Sequence, residues 1–295
     1  MHKASMEKIR DLFVGIDRKV TVEGRGKIVP INFDNAATTP AFKRVLKRVI
    51  ECSEMYGSIA RGDGQKSQFC SDTYEECRKY IMNYFNAPQD LYTAIFTDNT
   101  TMGINRLSNI LIKDRDDVVI TTRMEHHSND LPWRGKCNLK YLEVDDNGRV
   151  KIDDLEEMLI KYCGKVKYVT ISGASNVTGY LNDIRRAARL AHKYGAHIIV
   201  DGAQLVAHKK ISMLGVKSDE NIEFSAHKMY APFGSGAIIG LKKTFNYYPP
   251  DILGGGIVYM VRDDGQVYLD TPEKNEPGTP NFFGAVAMAQ AIKDM

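Results

Sequence analysis

Short apolar, β-branched runs alternate with amphipathic helical segments through the middle of this chain, and that alternation limits the fold more than any other feature. TAIFT (93–97) precedes a helical run from Thr101 to Ile112. DVVIT (117–121), LKYLEV (139–144), the helical DDLEEMLIKYC, VKYVTI (166–171), the helical NDIRRAARLAHKYG and AHIIVD (196–201) follow in that order. Gly195 stands where a helix C-terminal cap belongs. Two further runs, NIEFS (221–225) and GAIIGL (236–241), read as strands on either side of Lys228. Short β-rich runs separated by amphipathic helices predict parallel strands joined by crossovers, an α/β domain.

The 295 residues, 43% of them hydrophobic, suffice for a large core, and length over about 150 suggests two domains. Forty basic residues against 37 acidic ones leave a net charge of +3. No basic block interleaved with aromatics accompanies that charge, so no nucleic-acid partner is expected. MHKASMEKIRDLF has no apolar core of a secretory signal. No apolar run approaches the roughly 18 residues that span a membrane. The five cysteines (Cys52, Cys70, Cys77, Cys137 and Cys163) show no CxxC pair, which suits a reducing, cytoplasmic setting. The apolar segment NFFGAVAMAQAIKDM reads as a helix that needs cover on most of its surface. A partner subunit or a continuation of the polypeptide is expected to supply that cover.

In open α/β sheets, ligands sit beyond the carboxyl ends of the strands, so the residues there carry the functional reading. After AIFT come Asp98, Asn99, Thr100 and Thr101, which open a helix and suit a phosphate. After VVITT comes RMEHHSN with His126 and His127. Asn176 follows YVTISGAS, Asp201 and Gln204 follow HIIV, and Ser225, His227 and Lys228 follow IEF. The Glu-His-His run lacks a third and fourth ligand at metal-like spacing, and no P-loop is present. A phosphate cradle, an aromatic plate, an acid and a lysine at successive strand ends match one ligand, pyridoxal 5′-phosphate. Its phosphate needs a helix N-terminus, its ring nitrogen a carboxylate and its aldehyde an amine.

These residues carry a resemblance. From NFDNAATTP through TDNTTMGIN, RMEHHSNDLPW and GASNVTG to VDGAQ, SAHKMYAPFGSG and EPGTPN, the chain resembles the class V aminotransferase family of fold-type I PLP enzymes. Within that family it is most similar to the cysteine desulfurase and selenocysteine lyase branch. The resemblance implies an α/β/α sandwich with a mostly parallel central sheet. It implies that Lys228 forms the Schiff base with the cofactor and shuttles protons, that His126 stacks on the ring, and that Asp201 keeps the ring nitrogen protonated. Gln204 would bond the phenolic oxygen, with Asn176 near that oxygen and the substrate. Thr100 belongs to the same phosphate-binding helix start, and Thr101, Ser225 and His227 would hold the phosphate. Thr279 would reach the phosphate of a neighbouring subunit, implying a homodimer. The backbone at Ala36 and Ala37 would face the substrate carboxylate.

Two departures accompany the match. The persulfide-forming cysteine and the carboxylate-gripping arginine of the desulfurases lie beyond the GTPN motif, past the end of this chain, and none of the five cysteines occupies the persulfide position. In SIARGDGQKS (58–67), Ala60 and Gly64 stand where the branch carries histidines. The resemblance also divides the chain into an N-terminal segment of a small domain, 1–30, and a large PLP-binding domain, 31–295. Without the C-terminal part of the small domain, residues 1–30 are expected to be exposed or poorly ordered. The activity expected is removal of sulfur from L-cysteine to leave L-alanine, with sulfur passed to an acceptor protein. Selenocysteine lyase, carbon–sulfur lyase or epimerase activity, or a cofactor-binding remnant, are the alternatives.

Overall fold

The computed structural model describes residues 8–59, 62–214 and 220–295, with side chains described outside 220–226. Ala60 and the side chain of Ser225 therefore lie outside the described set. Two compact units are present, one of Met1–Cys77, Ala226–Ser235 and Phe282–Met295, the other of Arg78–Ser225 and Gly236–Asn281.

In the first unit a two-stranded hairpin, β1 (Val20–Val22) and β2 (Gly26–Ile28), precedes helices α1 (Lys43–Ser53) and α2 (Gln65–Tyr84), the latter running on into the second unit. The hairpin is largely exposed. Residues 12–14 are tied down more firmly. Val14 N–H donates to Ala41 O at 2.9 Å and Lys43 N–H to Leu12 O at 2.8 Å, while the Phe13 ring stacks on Phe42 at 5.2 Å.

The C-terminal helix, Phe282–Asp294, packs along α1. Tyr56 lies against Phe283 at 5.1 Å, Arg44 pairs with Asp294 at 3.0 Å, and Ser235 Oγ donates to Gly284 O at 3.1 Å. The expectation that a partner or a continuation must cover this helix is thus corrected. Its apolar side chains, Val286, Met288 and Ile292 among them, are buried by this chain itself.

The second unit is built on seven strands: β3 (Tyr92–Thr97), β4 (Val118–Thr122), β5 (Asn138–Leu142), β6 (Val166–Ser172), β7 (His197–Asp201), β8 (Glu220–Ser225) and β9 (Gly236–Leu241). Their order is β3-β9-β8-β7-β6-β4-β5. Every pairing is parallel except those of β9, which runs against both β3 and β8. The expected mostly parallel sheet is present, with boundaries shifted by a residue or two and LKYLEV ending early, at Leu142. Strands such as VVITT and GAIIGL are buried along their whole length, as a sheet covered on both faces requires.

Four helices alternate with these strands: α3 (Thr100–Leu111), α4 (Ile152–Lys161), α5 (Ile184–Lys193) and the short α6 (Leu205–His208). On α3 the apolar spacing puts Ile104, Leu107, Ile110 and Leu111 on one face, against Ile95, Val119, Ile199, Ile238 and Trp133. Each such side chain contributes about 1.5–3 kcal/mol when fully buried. On α5 the buried face is Ala187, Ala188 and Ala191, small enough for the helix to lie close to β7. Gly195 ends α5 with φ +76°, the left-handed conformation that favours glycine at a helix cap.

The chain passes from β4 outward to β5 at the sheet edge, then returns to β6 on the other side of β4. The crossovers that leave β4, toward β5, and β6, toward β7, run in opposite directions, which opens a crevice beyond the carboxyl ends of β4 and β6. The β4–β6 ladder ends at Ile120 and Val169 although both strands continue further.

Candidate active site

At the carboxyl end of β3, Asn99 caps α3, its Oδ1 accepting the Met102 N–H at 3.0 Å. The first turn then carries buried Thr100 and exposed Thr101. Helix N–H groups and the positive end of the dipole converge here on whatever lies beyond the strand. At the carboxyl end of β4, the exposed His126 opens a one-turn helix, His127–Asn129. Ser128 N–H donates to His126 Nδ1 at 3.1 Å, which leaves the ring proton on Nε2. The Ser128 hydroxyl lies 2.9 Å from the same nitrogen and 2.6 Å from Thr101 Oγ1. One serine therefore joins the expected ring-stacking histidine to the expected phosphate-binding threonine.

Asp201 is buried as the last residue of β7. Its Oδ1 accepts the Ala203 N–H at 2.9 Å, and its carbonyl accepts the Gly173 N–H at 2.8 Å. Gly173 has no room for a side chain, since a Cβ there would meet Leu205. That close approach seats the start of α6, and with it the buried Gln204 just ahead. Asn176 is exposed in the turn after β6, and Thr279 is exposed beyond the sheet strands. Among the described residues no group of three or more His, Cys, Asp or Glu could hold a metal ion.

The first unit carries the lysine. The chain leaves β8 at Ser225 and forms a single turn, Ala226–Lys228. Thr38 Oγ1 and Thr39 Oγ1 both donate to His227 O, at 3.2 and 3.1 Å, and Thr38 Oγ1 lies 3.3 Å from His227 Nδ1. The segment holding the exposed Ala36 and Ala37 is thus brought to the turn holding Lys228. Burial, and then the neighbouring Lys228 ammonium, hold the His227 imidazole below its ordinary pKa.

Three residues of this arrangement escape a reading of motifs. Glu125 was visible only as part of a candidate metal run, yet its carboxylate accepts from Thr122 Oγ1 at 2.6 Å, Ser172 N at 3.0 Å, Ser172 Oγ at 2.6 Å and Asn129 Nδ2 at 2.7 Å. Ser128 and Thr39 carry no motif signal of their own. The hydroxyls ending β4 and β6, Thr122, Thr170 and Ser172, were the one available hint that a polar group would lie between those strands.

Two of the five cysteines belong to the unit that holds the sheet. Cys137 and Cys163 precede β5 and β6, at the opposite, amino ends of the sheet. Burial pushes the Cys137 thiol up to about 11. Cys52, Cys70 and Cys77 are buried in helices of the first unit, and burial raises the Cys52 thiol as well.

A family model described as aminotransferase class-V matches residues 31–295. A probable cysteine desulfurase of Pyrococcus abyssi is 32% identical across 89% of this chain and 66% of its own length. One of Borreliella burgdorferi is 31% identical across 99% of this chain and 71% of its own. In three dimensions, the apo structure of a cysteine desulfurase from Thermococcus onnurineus NA1 superposes with a TM-score of 0.81 at 31% identity, over 89% of this chain and 66% of that one. The chain spans about two thirds of the length of these relatives. With the sheet order, the strand-end residues and these likenesses together, the chain belongs to the aminotransferase class-V family.

Proposed function

We propose that this chain is the cofactor-binding portion of a pyridoxal 5′-phosphate-dependent cysteine desulfurase, which takes L-cysteine to L-alanine and transferable sulfur. The observation that carries the reading is the continuous set at the carboxyl edge of the sheet. The α3 N-terminus, Thr101, Ser128 and His126 are linked by hydrogen bonds of 2.6 and 2.9 Å. The residue types fit the cofactor: a helix start for its phosphate, an exposed imidazole for its ring, a buried carboxylate for its nitrogen and a lysine for its aldehyde. When bound, pyridoxal phosphate supplies an electron sink for a carbanion.

The protein's part is binding, orientation and proton handling. Thr100, Thr101, Ser225 and His227 hold the phosphate, and a neutral His227 imidazole offers a hydrogen bond without adding charge. His126 stacks, its proton held on Nε2 by the Ser128 N–H. The Asp201 carboxylate keeps a proton on the ring nitrogen, while Gln204 and Asn176 serve the phenolic oxygen. The Lys228 amine would hold the cofactor by its aldehyde, and it is the group that would move a proton at the substrate carbon. The backbone at Ala36 and Ala37 meets the substrate carboxylate, and Thr279 serves the phosphate site of a second subunit in a homodimer. Five unbridged cysteines support a reducing, cytoplasmic location, and no described helix is long and apolar enough to cross a membrane.

The placement of Cys137 and Cys163 at the amino ends of the sheet supports a second reading, simple β-elimination that releases sulfide with no persulfide on this chain. Incubation of the PLP-loaded protein with L-cysteine and a thiol reductant separates the two. Alanine with sulfide supports desulfuration, whereas pyruvate with ammonia supports simple β-elimination and overturns the first reading.

A further inference from the structure

We propose that Glu125 is the positioning residue of the crevice between β4 and β6, closing the gap left where their ladder ends and thereby fixing His126. This rests on the reading of His126 as the ring-stacking residue. Past Ile120 and Val169 the two strands lose their mutual pairing, and their polar groups need other partners. The Glu125 carboxylate supplies them. One oxygen takes Thr122 Oγ1 from β4 and the Ser172 N–H from β6, the other Ser172 Oγ and Asn129 Nδ2. One side chain thus joins both strand ends to the turn that bears the histidine.

The network continues without a gap. Asn129, fully buried, gives its amide N–H to Glu125, and its Oδ1 accepts from Thr170 Oγ1 at 2.6 Å and from Trp133 Nε1 at 3.2 Å. Thr122 Oγ1, donating to Glu125, also accepts the Met124 N–H at 3.2 Å. His126 is the residue between Glu125 and this anchored Asn129 turn, whose Asn129 N–H returns to His126 O at 2.8 Å. Its backbone is therefore held from both sides, while its ring stays exposed. Ser172 is also the register partner of Asp201 on β7, so the carboxylate that orients the histidine also fixes the strand beside the aspartate. A carboxylate accepts four donors, whereas a carboxamide of the same shape presents two N–H groups to them. Glu125→Gln keeps the volume and breaks the match.

Two readouts test this at pH 8, where the Glu125 carboxyl is ionised, one of them without cofactor. In the cofactor-free protein, the His126 ring ¹⁵N signals, assigned by their loss in His126→Ala, show the Nε2–H tautomer. In Glu125→Gln they are expected to shift toward an averaged form. Affinity for pyridoxal 5′-phosphate, read by quenching of the single Trp133, is expected to fall about tenfold, the scale of losing a hydrogen bond to a charged group. That loss should largely vanish in the His126→Ala background if Glu125 acts through His126. Unchanged His126 signals, or a full additive loss in the double variant, overturn the proposal. If Glu125→Gln does not fold, Ser172→Ala removes one donor and must shift the His126 signals in the same direction. No shift there overturns the proposal too. Failure of the wild-type protein to take up the cofactor at all would refute the functional reading instead, and the tautomer readout would still decide the role of Glu125.

Discussion

Thr39 Oγ1 accepts the Tyr230 N–H at 2.7 Å, across 191 positions of sequence. The same hydroxyl donates to His227 O at 3.1 Å, and the Thr39 N–H donates there at 3.0 Å. Lys228 thus sits inside a clamp made by one threonine. Tyr230 adopts φ +61°, a costly conformation for a residue with a bulky side chain. Its N–H bond to Thr39 and its ring stacked 4.4 Å from Phe42 hold it there.

Thr39→Val keeps the side-chain shape and removes the hydroxyl, leaving the Tyr230 N–H without this partner. A loss of about 1–3 kcal/mol in urea unfolding is expected, with weaker cofactor uptake. Thr39→Ser should recover most of both. A Thr39→Val protein as stable as wild type would show that the clamp contributes nothing.

Asp201→Asn tests the electronic role assigned to the β7 aspartate. Turnover of L-cysteine should fall by about a hundredfold or more, while the dissociation constant for the cofactor changes far less. Equal losses in both would make Asp201 a binding residue only.

Much of this arrangement is legible in the residues themselves, and the exceptions share a cause. VVITT and GAIIGL are wholly buried strands, HIIVD is buried from Ile198 onward, and all three read as strands, so the residues that end them are named from the sequence alone. Glu125 could not be assigned, because its role depends on β4 and β6 parting after Ile120 and Val169, a feature of sheet order and not of local pattern. Thr39 meets its partners 188 and 191 positions away. The cover of the C-terminal helix comes from α1, more than 200 residues earlier in the sequence. Its apolar character was readable, while the identity of the surface it packs on was not.

Stability of the second unit should depend on a buried ion pair. Arg78 and Glu276 are 6% and 9% exposed and lie 2.7 Å apart, with the Phe96 N–H also donating to Glu276 at 2.7 Å. Glu276→Ala strands a buried guanidinium and should cost about 3–5 kcal/mol in chemical unfolding. A cost below 1 kcal/mol would mean that the Arg78 charge finds water or another partner.

Burial raises the Glu125 carboxyl to about 7 against the pull of its four hydrogen bonds. Its folded pKa therefore lies above the ordinary carboxylate value, and the native state binds the extra proton. The stability this contributes is full below about pH 4.5 and is lost as pH rises through 7. The hydrogen-bonding partners Thr122, Asn129 and Ser172 are uncharged. Wild-type stability relative to Glu125→Gln should consequently decline between pH 4.5 and 7. A difference that is flat or rises with pH would contradict the sign.

The proposed function depends on capture of pyridoxal 5′-phosphate through Lys228. The direct measurement is to incubate the protein with the cofactor, reduce with borohydride and locate the added mass by peptide sequencing. The expected result is a yellow, borohydride-reducible absorption in the wild-type protein, a pyridoxyl group on Lys228 and neither in Lys228→Ala. A pyridoxyl group on another lysine, or an unchanged absorption in Lys228→Ala, would contradict it.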